Sequence, residues 1–265
     1  VPLLIVLYLW RRKQEPSRLP PEKLTRAIIS GVRYVTNSPP MRTLMIRAML
    51  TGVVGGSIFA LLPLLVRDHL HGGAQTYGVM LGAFGIGAIF GAFYVGPVRK
   101  RFGGELAVST CLMMMGIGTL VAALSPWPAL TAAALALAGG GWMMSMALFN
   151  ISIQLSAPRW VSGRALAGFR SSNSAGLAIG SWAWGYAADH IGIDNALMLS
   201  AGAMCLSPLI GLWLRMPDVE TGTQEAEAVA DPEVRMLLSP RSGPIVVEIE
   251  YRIDPKDART FYGLM

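Results

Sequence analysis

Apolar segments of membrane-crossing length constrain this sequence more than any other feature. A helix needs about 20 predominantly apolar residues to cross the hydrocarbon core of a bilayer, which offers the backbone no hydrogen-bonding partner. Charged residues make up 14% of the chain, whereas soluble domains carry about 25%. The apolar segments are 48–66, 77–96, 106–124, 129–153, 165–188 and 196–214. They predict an all-α membrane protein that crosses the bilayer six times.

The positions of lysine and arginine predict which side of the membrane each connection faces. Connections on one side carry fifteen of these residues, from Arg11 to Arg215, and those on the other side carry only Arg67. Basic connections stay in the cytoplasm. The alternation therefore predicts a multi-pass protein of the bacterial inner membrane with a cytoplasmic C-terminal tail. Because the same loops account for the net charge of +6, a nucleic-acid partner is not favoured.

The segment before the first crossing has two predicted parts. Residues 1–12 are an apolar run that is too short to cross and is followed by basic residues, so we interpret it as the end of a preceding transmembrane helix. Residues 13–46 are a predicted cytoplasmic linker that contains an amphipathic helix, which either lies on the membrane surface or packs on the protein. The apolar residues of this helix recur at Leu24, Ile28, Val32 and Val35.

The composition changes after the six-crossing region, residues 47–216. Residues 217–243 are rich in Asp, Glu and small residues, which predicts a flexible acidic linker. Residues 244–265 begin with alternating apolar and polar residues, which predict a half-buried strand. Asp254 and Pro255 then predict a helix start. We interpret this segment as the start of a truncated cytoplasmic α+β domain.

Glycines repeat at a fixed spacing within the six-crossing region. Each glycine of a first set is followed 89 residues later by one of a second set, and the pairs are Gly87 and Gly176, Gly91 and Gly180, Gly96 and Gly185, and Gly103 and Gly192. This offset carries the second crossing onto the fifth, which runs in the opposite direction. The pattern therefore predicts two inverted three-helix repeats.

Two of these glycine-bounded segments resemble a loop motif of the major facilitator superfamily, Gly-x-x-x-Asp-Arg-x-Gly. Segment 96–103 reads GPVRKRFG, with Lys100 where the superfamily usually has Asp, and segment 185–192 reads GYAADHIG. The resemblance implies a six-helix half of a major facilitator fold and a gating role for the motif residues. These are Gly96, Arg99, Lys100, Arg101, Gly103, Gly185, Asp189 and Gly192.

Further segments resemble the branch of that superfamily that contains enterobactin exporters and transmembrane secretion effectors. They are 33–40, 158–164 and 180–185. The tail, 244–255, is similar to an extra cytoplasmic domain of that branch, which resembles ferredoxin-like dimeric modules. The resemblance implies secondary active transport of a small molecule, a preceding six-helix half as partner, and dimerisation through the tail domain.

Polar residues within the fourth and fifth crossings are the candidates for the substrate path. The resemblance implies that the first, second, fourth and fifth helices of each half line the cavity. The candidates are Asn150, Gln154, Arg170, Asn173 and Ser174. An arginine that faces lipid costs a few kcal/mol, so we predict that Arg170 faces the cavity and contacts an anionic substrate or a carboxylate of the other half. The alternative is that Arg170 reaches lipid phosphates.

The predicted function is proton-coupled export of a small hydrophobic, siderophore-like or drug-like molecule by alternating access. No Asp or Glu lies within the six apolar segments, so we expect the coupling carboxylate in the preceding half. Facilitated diffusion is the alternative mechanism. A non-transporting helix-bundle scaffold is the alternative function.

A membrane enzyme is the less favoured alternative. His69, His71 and His190 all fall in the connections predicted to be external, so no histidine lies beside a nucleophile within a crossing. Cys111 and Cys205 are far apart and have no metal-ligand spacing. We therefore predict no enzymatic activity, no metal site and no cofactor.

Overall fold

The computed structural model describes residues 24–158 and 161–217, and within these ranges it consists of helices without a strand. The α-helices are α1 Leu24–Asn37, α2 Pro39–Leu64, α3 Ala74–Leu124, α4 Pro128–Ser156, α5 Ser162–Ile191, α6 Ile193–Leu206 and α7 Ile210–Trp213. A π-helical turn, Leu65–His69, follows α2, and a 3-10 turn, Ser207–Leu209, joins α6 to α7. The predictions for residues 1–12, for the acidic linker beyond residue 217 and for the ferredoxin-like segment lie outside the described residues.

All six predicted crossings lie in these helices, which confirms an all-α membrane protein for the described part of the chain. α3 contains two of the predicted crossings. As a straight helix its 51 residues would extend about 76 Å, which is more than twice the thickness of the hydrocarbon core. The helices that are long and apolar enough to cross a membrane cover Pro39–His69, Ala74–Leu124, Pro128–Ser156 and Ile193–Trp213. α5 has 30 residues but falls outside this set because polar residues lower its hydropathy.

Glycines bring two pairs of crossings into backbone contact. The glycines and the residues whose backbone they face are Gly87 and Ala136, Gly91 and Gly140, Gly176 and Met49, and Gly180 and Val53. The first two pairs join α3 to α4, and the last two join α5 to α2. Glycines in corresponding positions are 89 residues apart and their partners are 87 apart. In the first contact the repeated glycines lie on the earlier helix, α3, and in the second they lie on the later helix, α5. The two contacts are therefore related in the way that two inverted repeats require.

Two glycines at corresponding positions end the second and fifth crossings in the same backbone conformation. Gly103, within α3, has φ 72° and ψ 178°, and Gly192, between α5 and α6, has φ 86° and ψ 159°. This region of backbone space is open essentially only to glycine. The last glycine of each motif copy thus turns the chain from one crossing into the next.

Buried hydroxyl groups connect the first and sixth crossings, while the outer surface is apolar. Ser57 on α2 and Ser200 on α6 are both fully buried and hydrogen-bond to each other. Phe93 and Trp213 on the outside are 76% and 92% exposed. Such a surface suits contact with acyl chains, because water is absent there and apolar side chains carry no desolvation cost.

α1 contacts the protein with one face and exposes apolar side chains on another. Nη1 of Arg164 on α5 donates a hydrogen bond to Oγ of Ser30 at 2.9 Å, and Gly31 is buried beside the same arginine. The exposed apolar residues are Ile28, Ile29 and Val32. Of the two alternatives for this amphipathic helix, packing on the protein is observed. Contact of its exposed face with the membrane surface stays a prediction.

Candidate functional site

A cleft of about 460 Å³ lies between α4 and α5, which is within the size range of small-molecule sites. Its walls combine apolar and aromatic side chains with a few polar ones. The lining residues are Trp142, Met143, Met146, Ala147, Asn150, Ile151, Phe169, Arg170, Asn173 and Ser174. Four of the five predicted path residues are therefore brought together, and the fifth, Gln154, hydrogen-bonds through Nε2 to Oδ1 of Asn150.

Helical periodicity explains why these polar side chains converge. Arg170, Asn173 and Ser174 are spaced i, i+3 and i+4 on α5, so they share one face of the helix. Gly176 and Gly180 lie on another face, which packs on α2. Close packing of the glycine face orients the polar face towards α4.

Arg170 is the only charged residue that lines the cleft. Its side chain is exposed, and no ion pair or hydrogen bond involves it among residues 24–158 and 161–217. A guanidinium presents five N–H donors in a plane and pairs with a carboxylate through two of them. The cleft can therefore hold a molecule that places an anionic group at Arg170 and an apolar body against the aromatic wall.

Two polar side chains of α5 also hold the bundle together. Nδ2 of Asn173 donates to the carbonyl oxygen of Ala48 at 3.3 Å, and Nε1 of Trp184 donates to that of Val53 at 2.9 Å. Both bonds tie α5 to α2. Asn173 therefore combines a structural bond with a place in the cleft wall, whereas Trp184 serves helix packing and does not line the cleft.

The predicted gating residues lie away from the cleft. Gly96, Lys100 and Arg101 are exposed and Arg99 is half-buried in the helical segment before Gly103. On the second copy, Gly185 is half-buried and Asp189 and Gly192 are exposed. No ion pair joins any of these residues to another within the described ranges. Their gating role stays a prediction.

An ion pair between a buried arginine and a half-buried glutamate at the predicted cytoplasmic end was not foreseen from the sequence. Nη1 of Arg47 lies 2.6 Å from Oε2 of Glu105 and the arginine side chain is 3% exposed. Nη1 also donates to the carbonyl oxygen of Leu214 at 3.0 Å, and the Met216 amide donates to Glu105 Oε2 at 2.8 Å. The pair thus joins the first, third and sixth crossings.

The position of Arg47 carried a signal that could have revealed this pair. Arg47 was counted with the basic residues of the cytoplasmic connections, and Glu105 lies directly before the apolar segment 106–124. α2, however, begins at Pro39, about two turns before Arg47. A cation that far inside an apolar helix requires an acidic or carbonyl partner.

The comparison with known families agrees with the fold class inferred from the repeat. A family model described as transmembrane secretion effector matches residues 1–265. The match therefore covers the whole chain. No curated protein matches it.

Proposed function

The chain belongs to the transmembrane secretion effector family of major facilitator transporters, and from this premise we propose that it exports a small, largely apolar molecule that carries an anionic group. The membership makes it a multi-pass transporter of the major facilitator type rather than a member of an enzyme family. The observation that supports the substrate class is the cleft between α4 and α5. There, the Arg170 guanidinium, which has no ion-pair partner among the described residues, faces a wall of Trp, Phe and Met side chains.

The proposed mechanism is alternating access driven by the proton gradient across a bacterial inner membrane. In this mechanism a second six-helix half, preceding these crossings, rocks against them around a site at the interface. The cleft supplies one wall of that site. We place the coupling carboxylate in the other half and the tail after α7 in the cytoplasm, and we propose that this tail mediates dimerisation.

The substrate class is tested by replacing Arg170 in the complete protein and measuring transport in proteoliposomes. A siderophore that carries a carboxylate is one probe, and a neutral hydrophobic dye is the other. Arg170→Gln removes charge-assisted hydrogen bonds of about 1.5–3 kcal/mol, so we expect siderophore transport to fall about tenfold to a hundredfold. Dye transport is expected to change little.

Conservative and control variants separate a binding role from snorkelling to lipid. Arg170→Lys keeps a charge that reaches phosphates but loses the bidentate fork, so transport of the siderophore is expected to fall as well. Arg33→Gln, on the exposed face of α1, is the matched control and should transport normally. Unchanged siderophore transport in both Arg170 variants would disprove the proposed role. Absence of any flux in the parent protein would favour the scaffold alternative.

A further inference from the structure

A single imidazole links three connections at the end of the bundle that is predicted to be external. His69 lies in the turn after α2, Ser125 lies between α3 and α4, and Asp194 lies in the first turn of α6. Nε2 of His69 is 3.1 Å from the carbonyl oxygen of Ser125, and Nδ1 is 3.0 Å from Oδ1 of Asp194. The side chain is 21% exposed, so water reaches the ring.

The two neighbours of the ring indicate how many protons it carries. A backbone carbonyl oxygen only accepts hydrogen bonds, so Nε2 carries a hydrogen and donates it to Ser125. In a neutral ring Nδ1 would then present a lone pair to the carboxylate oxygen of Asp194, which is a repulsive arrangement. The imidazolium form carries hydrogens on both nitrogens. It alone satisfies both neighbours at once.

Charged groups on the same turn pair among themselves. Nε and Nη2 of Arg67 lie 2.5 Å and 2.9 Å from the carboxylate oxygens of Asp68. His71, two residues further along the chain, is exposed. The Asp68 carboxylate is therefore engaged by Arg67, and it does not replace Asp194 as the partner of His69.

The elements that surround His69 offer its ring one carboxylate, that of Asp194, within the described ranges. The connection from residue 125 to residue 128 contains no charged residue. The last turn of α5 carries Asp189 and His190, and Nδ1 of His190 bonds to the carbonyl oxygen of Tyr186 in its own helix. Within the described ranges, the one carboxylate at ion-pair distance from His69 is that of Asp194.

We propose that His69 is a proton-binding site whose imidazolium form ties the three external connections together. Binding of a proton from the external medium completes the contact with Asp194 while the bond to Ser125 is kept. The tie is complete at acidic external pH and is lost as the pH rises and Nδ1 releases its proton. An external proton thus favours the arrangement in which these three connections are held together by His69. The inference does not depend on the proposed substrate.

The proposal is tested by measuring the distance between two external helix starts as a function of pH. Spin labels are attached to cysteines introduced by Gln75→Cys in the first turn of α3 and Asn195→Cys in the first turn of α6. Both positions are exposed, and Cys111→Ser and Cys205→Ser remove the natural thiols. In the complete protein we expect a narrow distance distribution at pH about 5 and a broader one at pH about 8, the range of imidazole chemistry.

Variants assign the pH dependence to the proposed pair. His69→Gln can donate to Ser125 but does not titrate, and Asp194→Asn removes the negative charge, so both should give distributions that do not change with pH. Because Asp194 is 55% exposed, its variant stays informative if His69→Gln fails to fold. The matched control is His71→Asn, since Asn tolerates the φ of 49° at that position, and it should keep the pH response. The proposal is wrong if the parent protein shows no response, or if both pair variants keep it in full.

Discussion

At each end of the helix bundle a basic side chain contacts a carboxylate, but the two contacts differ in burial and chemistry. At the predicted cytoplasmic end, the Arg47 side chain is 3% exposed and lies 2.6 Å from Glu105. At the predicted external end, the side chains of His69 and Asp194 are 21% and 55% exposed. A guanidinium stays charged in proteins, whereas an imidazole gains or loses its charge near neutral pH.

The comparison shows which end of this half can open at low cost. Separating Arg47 from Glu105 would leave a buried charge without a partner, which costs several kcal/mol. Separating His69 from Asp194 exposes groups that water can solvate, and exposed pairs contribute at most about 1 kcal/mol. We therefore expect the cytoplasmic end of this half to move as one unit and the external end to loosen.

The largest expected effect tests the assignment of the two ends to the two sides of the membrane. His71→Cys should react with a membrane-impermeant maleimide added outside, whereas Lys100→Cys should react only when the reagent reaches the cytoplasmic side. The physical reason is the distribution of Lys and Arg between the connections. The measurement is all-or-none labelling of intact cells and inverted vesicles, in a background without Cys111 and Cys205. Labelling of both cysteines from one side would overturn the comparison.

The next largest effect breaks the buried pair. Arg47→Met should lower the free energy of unfolding by about 1.5–3 kcal/mol, because the half-buried Glu105 carboxylate loses its charged hydrogen-bond partner. The double variant Arg47→Met/Glu105→Leu should be less destabilised than the single variant, since it removes both charges. Thermal unfolding in detergent micelles measures both.

A variant at an exposed arginine is the control for the experiment on Arg47. Arg33→Met removes an arginine from an exposed position on α1 and should leave the unfolding temperature nearly unchanged. If the double variant were as unstable as Arg47→Met, the loss would come from packing and from the bonds to Leu214 and Met216. The ion pair itself would then not be what holds these three crossings together.

The smallest expected effect compares the two glycine turns, one at each end. Gly103→Ala and Gly192→Ala each place a side chain at a positive φ, which should cost about 1–3 kcal/mol. Because no neighbouring atom lies within 4 Å of the point that a Cβ would occupy at either position, the strain is confined to the backbone and the two losses should be equal. Unfolding midpoints measure them. Clearly unequal losses would show that one turn is held more tightly than its symmetry mate.

Much of the fold could be predicted because its signals are local. The six crossings follow from hydropathy, and the inverted repeat follows from glycines spaced by 89 residues. The convergence of Arg170, Asn173 and Ser174 follows from helical spacing on α5. Gln154 was also predicted to line the path, but its amide bonds to Asn150 and it does not line the cleft.

The sequence by itself determined the all-α class, the glycine repeat and the polar face of α5, since each depends on composition or on spacing along the chain. The tertiary structure alone decided the partners of the charged residues. Arg47 and Glu105 are 58 residues apart, and His69 and Ser125 are 56 apart. Their contacts depend on how each helix is rotated about its axis and packed on its neighbours. A charge count assigns such residues to one side of the membrane, but it contains no information about which side chains meet there.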